Sequence, residues 1–484
     1  MWPVGRGMAA LAAVAWIAAG CASMPTGGER QVSLPDPPPL GETAQSSPAQ
    51  REHDRILAAY GGAYQHPRLQ QVLRETVDKL ASATERRDMR YHVTVLNSPA
   101  INAFALPNGH LYVTRGLLSL ANDTAELASV LSHEMAHVIA SHAATREDKA
   151  RQAAIVNRVV TDVLNDPQLG ALALARSRIA LASFSRAQEL EADAIGVRLA
   201  ARAGYDPYGA TRFLTAMGRH AGLAPTNANG GDATSADFLS SHPSTPDRIK
   251  SALAAARQHT APGAGARDRP AYLRAIDGLT FGEDPSEGVV RGRRFLHRRL
   301  GFTFTAPEGF SLDNTPQAVL GIREGGEQAL RLDVVRAPGG LTLPAYLNSG
   351  WIERVDPQSI EEVTIGGLRA ATATASGEQW SFRLYAVQLG DQIFRFVFAA
   401  KNRSAAAERV FRDSVATFRR LSDAEAGRLK PLRLRAVAVA PGDTPESLSR
   451  RMATERPLER FLVLNGLSAG ASLTPGDQIK IVVE

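Results

Sequence analysis

His133-Glu134-Met135-Ala136-His137 is the stretch that decides how this chain is interpreted. The apolar residues around it recur at helical spacing, which predicts an amphipathic helix. Asp123, followed three residues later by Glu126, predicts a capping box at the start of that helix. Side chains four positions apart lie on one face of a helix, so both imidazoles can reach one metal ion. Glu134 lies beside them, where its carboxylate could polarise a water molecule.

A complete zinc site needs a third protein ligand, and the residues just after the motif do not supply it. The metzincin pattern requires Gly and His at the positions of Ala140 and Ala143, so that class is excluded. His142 follows His137 by five residues, which on a continuing helix turns it away from the metal face. We therefore expect His142 to be structural.

A second helix downstream offers the missing ligand. Residues 185–196 are Ala-rich and apolar at helical spacing, and Glu189 and Asp193 share a face because they are four residues apart. Glu189 can complete a set of His133, His137 and Glu189, leaving the fourth position open as catalytic zinc requires. Asp193 is placed to accept the free N–H of a ligating histidine. The alternative is a solvated acidic face.

HExxH followed by SRxxExEADxxG resembles the gluzincin family of the HtpX and BepA metallopeptidases. The resemblance covers about residues 50 to 280 and implies one Zn²⁺ per chain, held by His133, His137 and Glu189, not Glu191. It implies an endopeptidase in which Glu134 takes the proton of the attacking water and passes it to the leaving amine.

The segment before the zinc helix also resembles this family. Ala103, Phe104 and Ala105 belong to a stretch of alternating β-type residues that suits an edge strand pairing with an extended substrate. An ordinary hairpin strand is equally compatible with the sequence.

Residues 241–249 resemble the HPxxxxRI element of the family, which implies a position near the active site. His242 could occupy the open zinc position or stabilise the oxyanion of the tetrahedral intermediate, and Arg248 could also stabilise the oxyanion. In the alternative interpretation His242 forms part of a turn and Arg248 pairs with an acidic neighbour. Both interpretations stay open.

The N-terminal residues 1–21 are predicted to be a lipoprotein signal peptide. Their apolar run is shorter than the roughly 20 residues that a spanning helix needs. Residues 18–21 resemble a lipobox, which implies lipidation of Cys21, the only cysteine of the chain. The residue that follows Cys21 is Ala22 and not Asp, and by this resemblance it implies a location at the periplasmic face of the outer membrane. A plain secretory signal is the alternative.

Residues 22–50 are rich in Pro, Gly, Ser and Thr and are expected to form an extended tether.

The fold class predicted is a multidomain α+β protein. We expect a mainly helical peptidase domain with a small edge sheet at 51–275 and an antiparallel α+β domain of unknown role at 290–422. Residues 432–484 resemble the small βααβ LysM fold, which implies peptidoglycan as a possible partner. Pro445 departs from the LysM pattern, so the domain could instead be a structural cap.

Together these features predict a zinc endopeptidase for misfolded or unassembled envelope proteins, anchored in the periplasm to the outer membrane. Two alternatives are a chaperone or assembly factor for outer-membrane proteins with gated protease activity and a peptidoglycan-binding scaffold. The net charge of +6 is modest for 484 residues and does not indicate nucleic acid as a partner.

Overall fold

A computed structural model describes residues 47–86, 88–144, 184–223, 242, 245–352, 354–377, 380–402 and 404–484. The predicted signal peptide, Cys21 and most of the predicted tether lie outside these residues. The first helix begins at Pro48, within the range predicted as tether, and Ser47 caps it by accepting a hydrogen bond from the backbone N–H of Gln50. In the described residues, no helix has the length and apolar character needed to cross a membrane.

The peptidase region is mainly helical and carries a small three-stranded sheet. Its helices are α1 (Pro48–Ala59), α2 (Pro67–Ala83), α3 (Arg115–Leu120), α4 (Thr124–Ile139), α5 (Arg186–Arg202), α6 (Gly209–Ala221), α7 (Pro246–His259) and α8 (Arg269–Ile276). Its strands are β1 (His92–Leu96), β2 (Ala103–Ala105) and β3 (His110–Thr114). β3 lies in the centre, parallel to β1 and antiparallel to β2, so β2 forms one edge of the sheet.

Helix α4, which carries the HExxH motif, lies in the centre of this region. Every residue from Thr124 to His137 is buried, so the helix is enclosed on all sides, whereas an amphipathic helix was expected. Asp123 caps it by accepting a hydrogen bond from the backbone N–H of Glu126 at 2.8 Å. The Glu126 carboxylate accepts from the backbone N–H of Asn122, one residue earlier than a capping box requires.

The middle region is built from antiparallel sheets, as the strand pattern predicted. Its first sheet contains β5 (Val289–Arg291), β6 (Arg294–His297), β7 (Phe302–Thr305) and β15 (Arg419–Arg420). Its second sheet contains β8 (Phe310–Asn314), β9 (Val319–Arg323), β10 (Gln328–Arg336), β11 (Glu361–Ile365), β12 (Leu368–Ser376), β13 (Ser381–Leu389) and β14 (Gln392–Ala400). Helices α9 (Leu343–Leu347), α10 (Ala405–Ala416) and α11 (Asp423–Arg428) complete the region. The two sheets share one apolar core, in which Phe302 and Phe304 contact Phe394 and Phe396.

The C-terminal region has the order strand, helix, helix, strand. These elements are β16 (Leu432–Ala438), α12 (Pro445–Ser449), α13 (Pro457–Leu464) and β17 (Gln478–Val483). A short strand from far upstream, β4 (Thr280–Phe281), pairs with β16 and adds a third strand to this sheet. The C-terminal sheet therefore includes residues that directly follow the peptidase region in sequence.

Two buried cations join the C-terminal sheet to α3, the helix just before α4. The Lys480 ammonium group of β17 is fully buried and donates to the carbonyls of Ser119, Leu120 and Ala121 at 2.8, 3.1 and 2.8 Å. Arg115, at the start of α3, donates to the carbonyl of Thr280 in β4 at 3.1 Å. Both ends of α3 are thus hydrogen-bonded to the C-terminal sheet.

Candidate metal centre

Four buried side chains from three separate parts of the chain meet at one point. His133 and His137 come from α4, Glu189 from the first turn of α5, and His242 from the segment before α7. One ligand atom from each lies within 4.8 Å of the other three. The His133 and His137 Nε2 atoms are 3.1 Å apart, and each lies about as close to the Glu189 carboxylate, at 3.5 and 3.6 Å.

The position of Glu189 depends on how α5 starts and on how closely it approaches α4. Ser185 and Gln188 form a capping box, so α5 begins with Glu189 in its first turn. One and two turns further on, Asp193 and Gly196 face α4. A Cβ atom at Gly196 would lie 3.1 Å from the backbone nitrogen of His133, which is tighter than ordinary packing. Glycine therefore allows the contact that brings Glu189 to the two histidines.

Asp193 and Arg248 are charged residues that contact the ligand cluster. Asp193 Oδ1 lies 3.0 Å from His133 Nδ1, the ring atom that faces away from the cluster. Arg248 is 2% exposed and donates two hydrogen bonds of 2.7 Å to Asp193, and its third nitrogen lies 2.7 Å from Glu189 Oε2. Its guanidinium is occupied by two carboxylates, which matches the alternative that paired Arg248 with an acidic neighbour.

Glu134 is buried beside the cluster. Its Oε1 atom is 3.8 Å from His242 Nε2 and has no hydrogen-bond partner among the residues that the structure describes. Burial raises the pKa of Glu134 above its ordinary value. A carboxylate with an unused buried oxygen and a raised pKa is suited to accept and return a proton.

The side chains of the cluster differ in their protonation. Burial opposes protonation of His133, but hydrogen bonds to Asp193 and Glu189 outweigh it and raise the pKa of His133 to about 9. Burial and the neighbouring His133 hold the pKa of His137 far below its usual value. Burial also disfavours the Glu189 carboxylate, yet hydrogen bonds from His133 and His242 lower its pKa overall. Glu189 is thus an anion and His137 a neutral imidazole, the forms that bind a metal ion.

His142 takes part in the site, although its spacing suggested that it would point away. Helix α4 ends at Ile139 and Ser141 adopts a positive φ of 54°, so the chain turns back and buries His142 against His137. The Nδ1 atoms of His142 and His137 are 3.0 Å apart, and His142 Nε2 lies 3.3 Å from a carboxylate oxygen of Glu191. A hydrogen-bonded row of Glu191, His142 and His137 results. The spacing rule missed it because that rule assumes a continuous helix.

His142→Ala is expected to weaken zinc binding by about 10- to 100-fold, because it removes the acceptor that fixes the His137 ring and its tautomer. His142→Asn, which keeps an acceptor near the position of Nδ1, should lose less. Competition with a chromophoric chelator measures the affinity, with His259→Ala at the exposed end of α7 as control. Equal affinities for His142→Ala and wild type would contradict this role.

The strand predicted to bind substrate packs against α4, the helix that carries His133 and His137. β2 (Ala103–Ala105) packs against α4 and pairs on one side with β3. Ala103 is buried, while Phe104 stacks on Tyr112 of β3 with ring centroids 5.0 Å apart. β2 forms the edge of its sheet, which is the position from which a strand can pair with an extended peptide.

The donor set fits zinc. Two imidazoles and one carboxylate are the ligands of many catalytic zinc sites, which leave a coordination position open for the reaction. The described residues that meet this geometry are His133, His137, Glu189 and His242. The unpaired Glu134 oxygen beside them supplies the proton acceptor that such sites need.

Comparisons with known proteins agree with this geometry. Residues 65–256 match the profile described as Peptidase family M48. The chain is 35% identical over 170 residues to the mitochondrial metalloendopeptidase OMA1 of Arabidopsis thaliana, covering 35% of this chain and 32% of that protein. It is 31% identical over 198 residues to the protein of the same name from Schizosaccharomyces pombe, covering 41% and 54%.

A third relative is the beta-barrel assembly-enhancing protease of Escherichia coli strain K12, with 32% identity over 157 residues, 31% of this chain and 32% of that protein. The chain therefore spans about a third to a half of the length of these relatives. The matched range, residues 65–256, includes His133, His137, Glu189 and His242. It also includes Glu134. Geometry and similarity together identify a zinc metallopeptidase domain.

Proposed function

We propose that this protein, built around a zinc metallopeptidase domain similar to Peptidase family M48, is an endopeptidase for misfolded or unassembled proteins of the cell envelope. The observation that carries the proposal is the buried set of His133, His137 and Glu189 with Glu134 beside it. Each of these residues is at most 5% exposed, so reacting groups in this centre are shielded from bulk water.

The residues of the site would have separate roles in peptide hydrolysis. His133, His137 and Glu189 would hold a zinc ion, whose Lewis acidity polarises a carbonyl group and makes water nucleophilic near neutral pH. Glu134 accepts the proton of the attacking water and returns it to the leaving amine. Asp193 and His142 fix the rings of His133 and His137, and Arg248 holds the carboxylates of Glu189 and Asp193 in place.

The substrate class follows from the sheet edge. A substrate strand that pairs with β2 must be extended, and a compact folded protein rarely exposes such a segment. This supports unfolded or unassembled chains as substrates. The name of the Escherichia coli relative refers to β-barrel assembly, which makes an unfolded outer-membrane barrel protein a suitable first substrate.

The proposed location rests on the sequence. Lipidation of Cys21 would attach the protein to the outer membrane from the periplasmic side, and residues 22–46 would separate the enzyme from the bilayer. The C-terminal strand, helix, helix, strand order supports a LysM-like domain, with peptidoglycan as the proposed partner.

Selective degradation of an unfolded substrate tests the proposal. The protein lacking residues 1–21 is incubated with one outer-membrane β-barrel protein, either unfolded in urea and diluted or folded in detergent. We expect cleavage of the unfolded form, loss of cleavage with a chelator, and recovery with added zinc. Equal cleavage of both forms would refute the substrate class, and cleavage unaffected by the chelator would refute the zinc mechanism.

A gated protease is the second candidate, and the position of His242 favours it. His242 Nδ1 lies 2.8 Å from Glu189 Oε1 and 3.3 Å from His133 Nε2, so its ring occupies space beside the predicted ligands. A ring there can fill the coordination position that substrate and water need. The protein would then act mainly as a chaperone or assembly factor until His242 moves.

His242→Ala separates gating from a catalytic role of this residue. If His242 blocks the centre, the variant should cleave the unfolded substrate several-fold faster, because a coordination position becomes accessible. If His242 stabilises the oxyanion, cleavage should fall by a factor of about 10² to 10³. The measurement is the initial cleavage rate at equal zinc content, with His259→Ala as the matched control.

A further inference from the structure

Two stretches of the middle region hold a large share of the positive charge. Residues 291–299 contain five arginines and no acidic residue, and residues 419–430 contain four cationic and two acidic residues. Their combined net charge is +7, whereas the whole chain has a net charge of +6. The rest of the protein is therefore close to neutral, and the excess positive charge is concentrated in these two stretches.

The fold brings the two stretches onto one surface. The first forms β6 and the turns at its two ends, and the second forms β15 and α11. Strands β6 and β15 lie on either side of β7 in the same sheet. Glu425 of α11 bridges them, because its Oε1 atom lies 2.7 Å from a nitrogen of Arg294 in β6 and 2.8 Å from a nitrogen of Arg419 in β15.

The other end of β6 makes a second contact between the stretches. Arg298 follows β6, and a nitrogen of its guanidinium lies 3.5 Å from the carbonyl oxygen of Leu429. Leu429 stands between Arg428 and Lys430, so these two cations border the same end of the strand. Arg294 and Arg298 are four residues apart, roughly 13 Å along a strand. The positive charge therefore extends along the whole of β6 instead of converging on one point.

Most of the nine cations are exposed, and five of them make no ion pair. Eight are exposed and Arg294 is half-buried. Three glutamates, Glu283, Glu287 and Glu425, pair with four of the nine. In the described part of the chain, no carboxylate oxygen lies within 4.0 Å of the other five, which are Arg293, Arg298, Arg420, Arg428 and Lys430.

This surface has no apolar centre. Among the described residues, the large apolar side chains that are exposed are Ile322, Leu341 and Val410, and none of them belongs to either stretch. A protein partner would ordinarily bury an apolar core surrounded by a polar rim. An extended set of cations without such a core is suited instead to a continuous layer of negative charge, as the headgroups of anionic lipids provide.

We propose that this basic surface, formed by residues 291–299 and 419–430, binds the anionic headgroups of a phospholipid bilayer. Arginine suits this partner because its planar guanidinium donates paired hydrogen bonds to phosphate oxygens. The proposed tether at residues 22–46 would keep the surface near a bilayer, but the binding itself does not require a lipid on Cys21. Docking gives the middle region a role, since it restricts how the protein is oriented at the membrane.

Co-sedimentation with vesicles tests the proposal. The protein lacking residues 1–21 is mixed with vesicles of phosphatidylcholine alone or with vesicles that also contain phosphatidylglycerol, an anionic lipid. We expect binding only to the anionic vesicles. The binding should be lost when NaCl is raised from about 0.1 M to about 1 M, where the screening length falls from about 10 Å to about 3 Å. Inorganic phosphate at constant ionic strength should not displace the protein.

A charge-matched pair of variants locates the binding surface. The first removes the five cations without an ion pair, through Arg293→Gln, Arg298→Gln, Arg420→Gln, Arg428→Gln and Lys430→Gln. Each basic residue near an anionic surface contributes a factor of about five, so this variant should bind at least about 100-fold more weakly. The control should lose less than about tenfold, because its cations lie outside the surface. It removes the same charge from exposed positions, through Arg68→Gln, Arg74→Gln, Lys250→Gln, Arg257→Gln and Arg450→Gln.

Four results would overturn the proposal. They are no binding of the wild type to anionic vesicles, equal binding to neutral vesicles, displacement by inorganic phosphate, and an equal loss in both variants. The last result would assign the attraction to net charge and not to this surface. Both variants change only exposed side chains, so their unfolding midpoints should match the wild type. The assay contains no substrate, so its outcome is independent of the proposed peptidase activity.

Discussion

Glu134→Gln is expected to lower kcat/KM for an unfolded substrate by a factor of roughly 10² to 10⁴, the usual contribution of a general acid–base group. The variant keeps the shape of the side chain but cannot accept a proton from water. Glu134 is outside the group of His133, His137, Glu189 and His242, so the zinc content should be unchanged. Since burial raises the pKa of Glu134, a neutral amide at this position should leave the free energy of unfolding equal or higher.

The measurement is cleavage rate and zinc content of the same preparation. Glu75→Gln, an identical change at an exposed position of α2, serves as control and should behave like wild type. If Glu134→Gln retained the wild-type rate at full zinc occupancy, the proton acceptor would have to be another group. If it lost zinc, Glu134 would belong to the ligand set and not to the proton transfer.

Lys480→Met is expected to lower the free energy of unfolding by about 3 kcal/mol, because it leaves buried carbonyls without a donor. The ammonium group is fully buried and donates to three carbonyls at the C-terminal end of α3. Burial lowers the pKa of Lys480 well below its ordinary value, whereas the nearby Glu126 carboxylate favours the charged form that these three hydrogen bonds require. Methionine fills the space of the aliphatic chain but supplies neither the hydrogen bonds nor the charge.

Chemical denaturation followed by circular dichroism measures this change. Lys430→Met, at an exposed position just before β16, is the matched control and should stay within about 0.5 kcal/mol of wild type. Hydrogen exchange should locate the loss at α3 and at β17. An unfolding midpoint equal to that of the control would show that the contacts of Lys480 do not contribute to stability.

The candidate metal ligands could be named from the sequence because helical spacing indicates which residues share a face, and because the resemblance to the gluzincin family implies Glu189 as the third ligand. The spacing of His133 and His137 on a helix places both on one face, and the spacing of Glu189 and Asp193 does the same on α5. The structure brings these four residues together through the close contact at Gly196. The antiparallel middle region could also be predicted, because alternation and turn residues are local signals.

Features that depend on distant or irregular contacts could not be predicted. His142 reaches His137 only because Ser141 adopts a left-handed conformation after α4 ends. The pairing of β4 with β16 joins segments far apart in sequence, and a two-residue strand has no periodicity to detect. Lys480 lies in a β-strand where a lysine would ordinarily be solvent-exposed, and its sequence context does not indicate its partners in α3.

The bonds between Lys480 and α3 also bear on the order in which the chain folds. They join residues separated by 359 to 361 positions, and contacts of such long range form late because the intervening chain must first be brought together. Helix α3 leads directly into α4, so the metal-binding helix is fully supported only after β17 has docked. We therefore expect the peptidase region of a newly made chain to reach its full stability only after β17 has docked on α3.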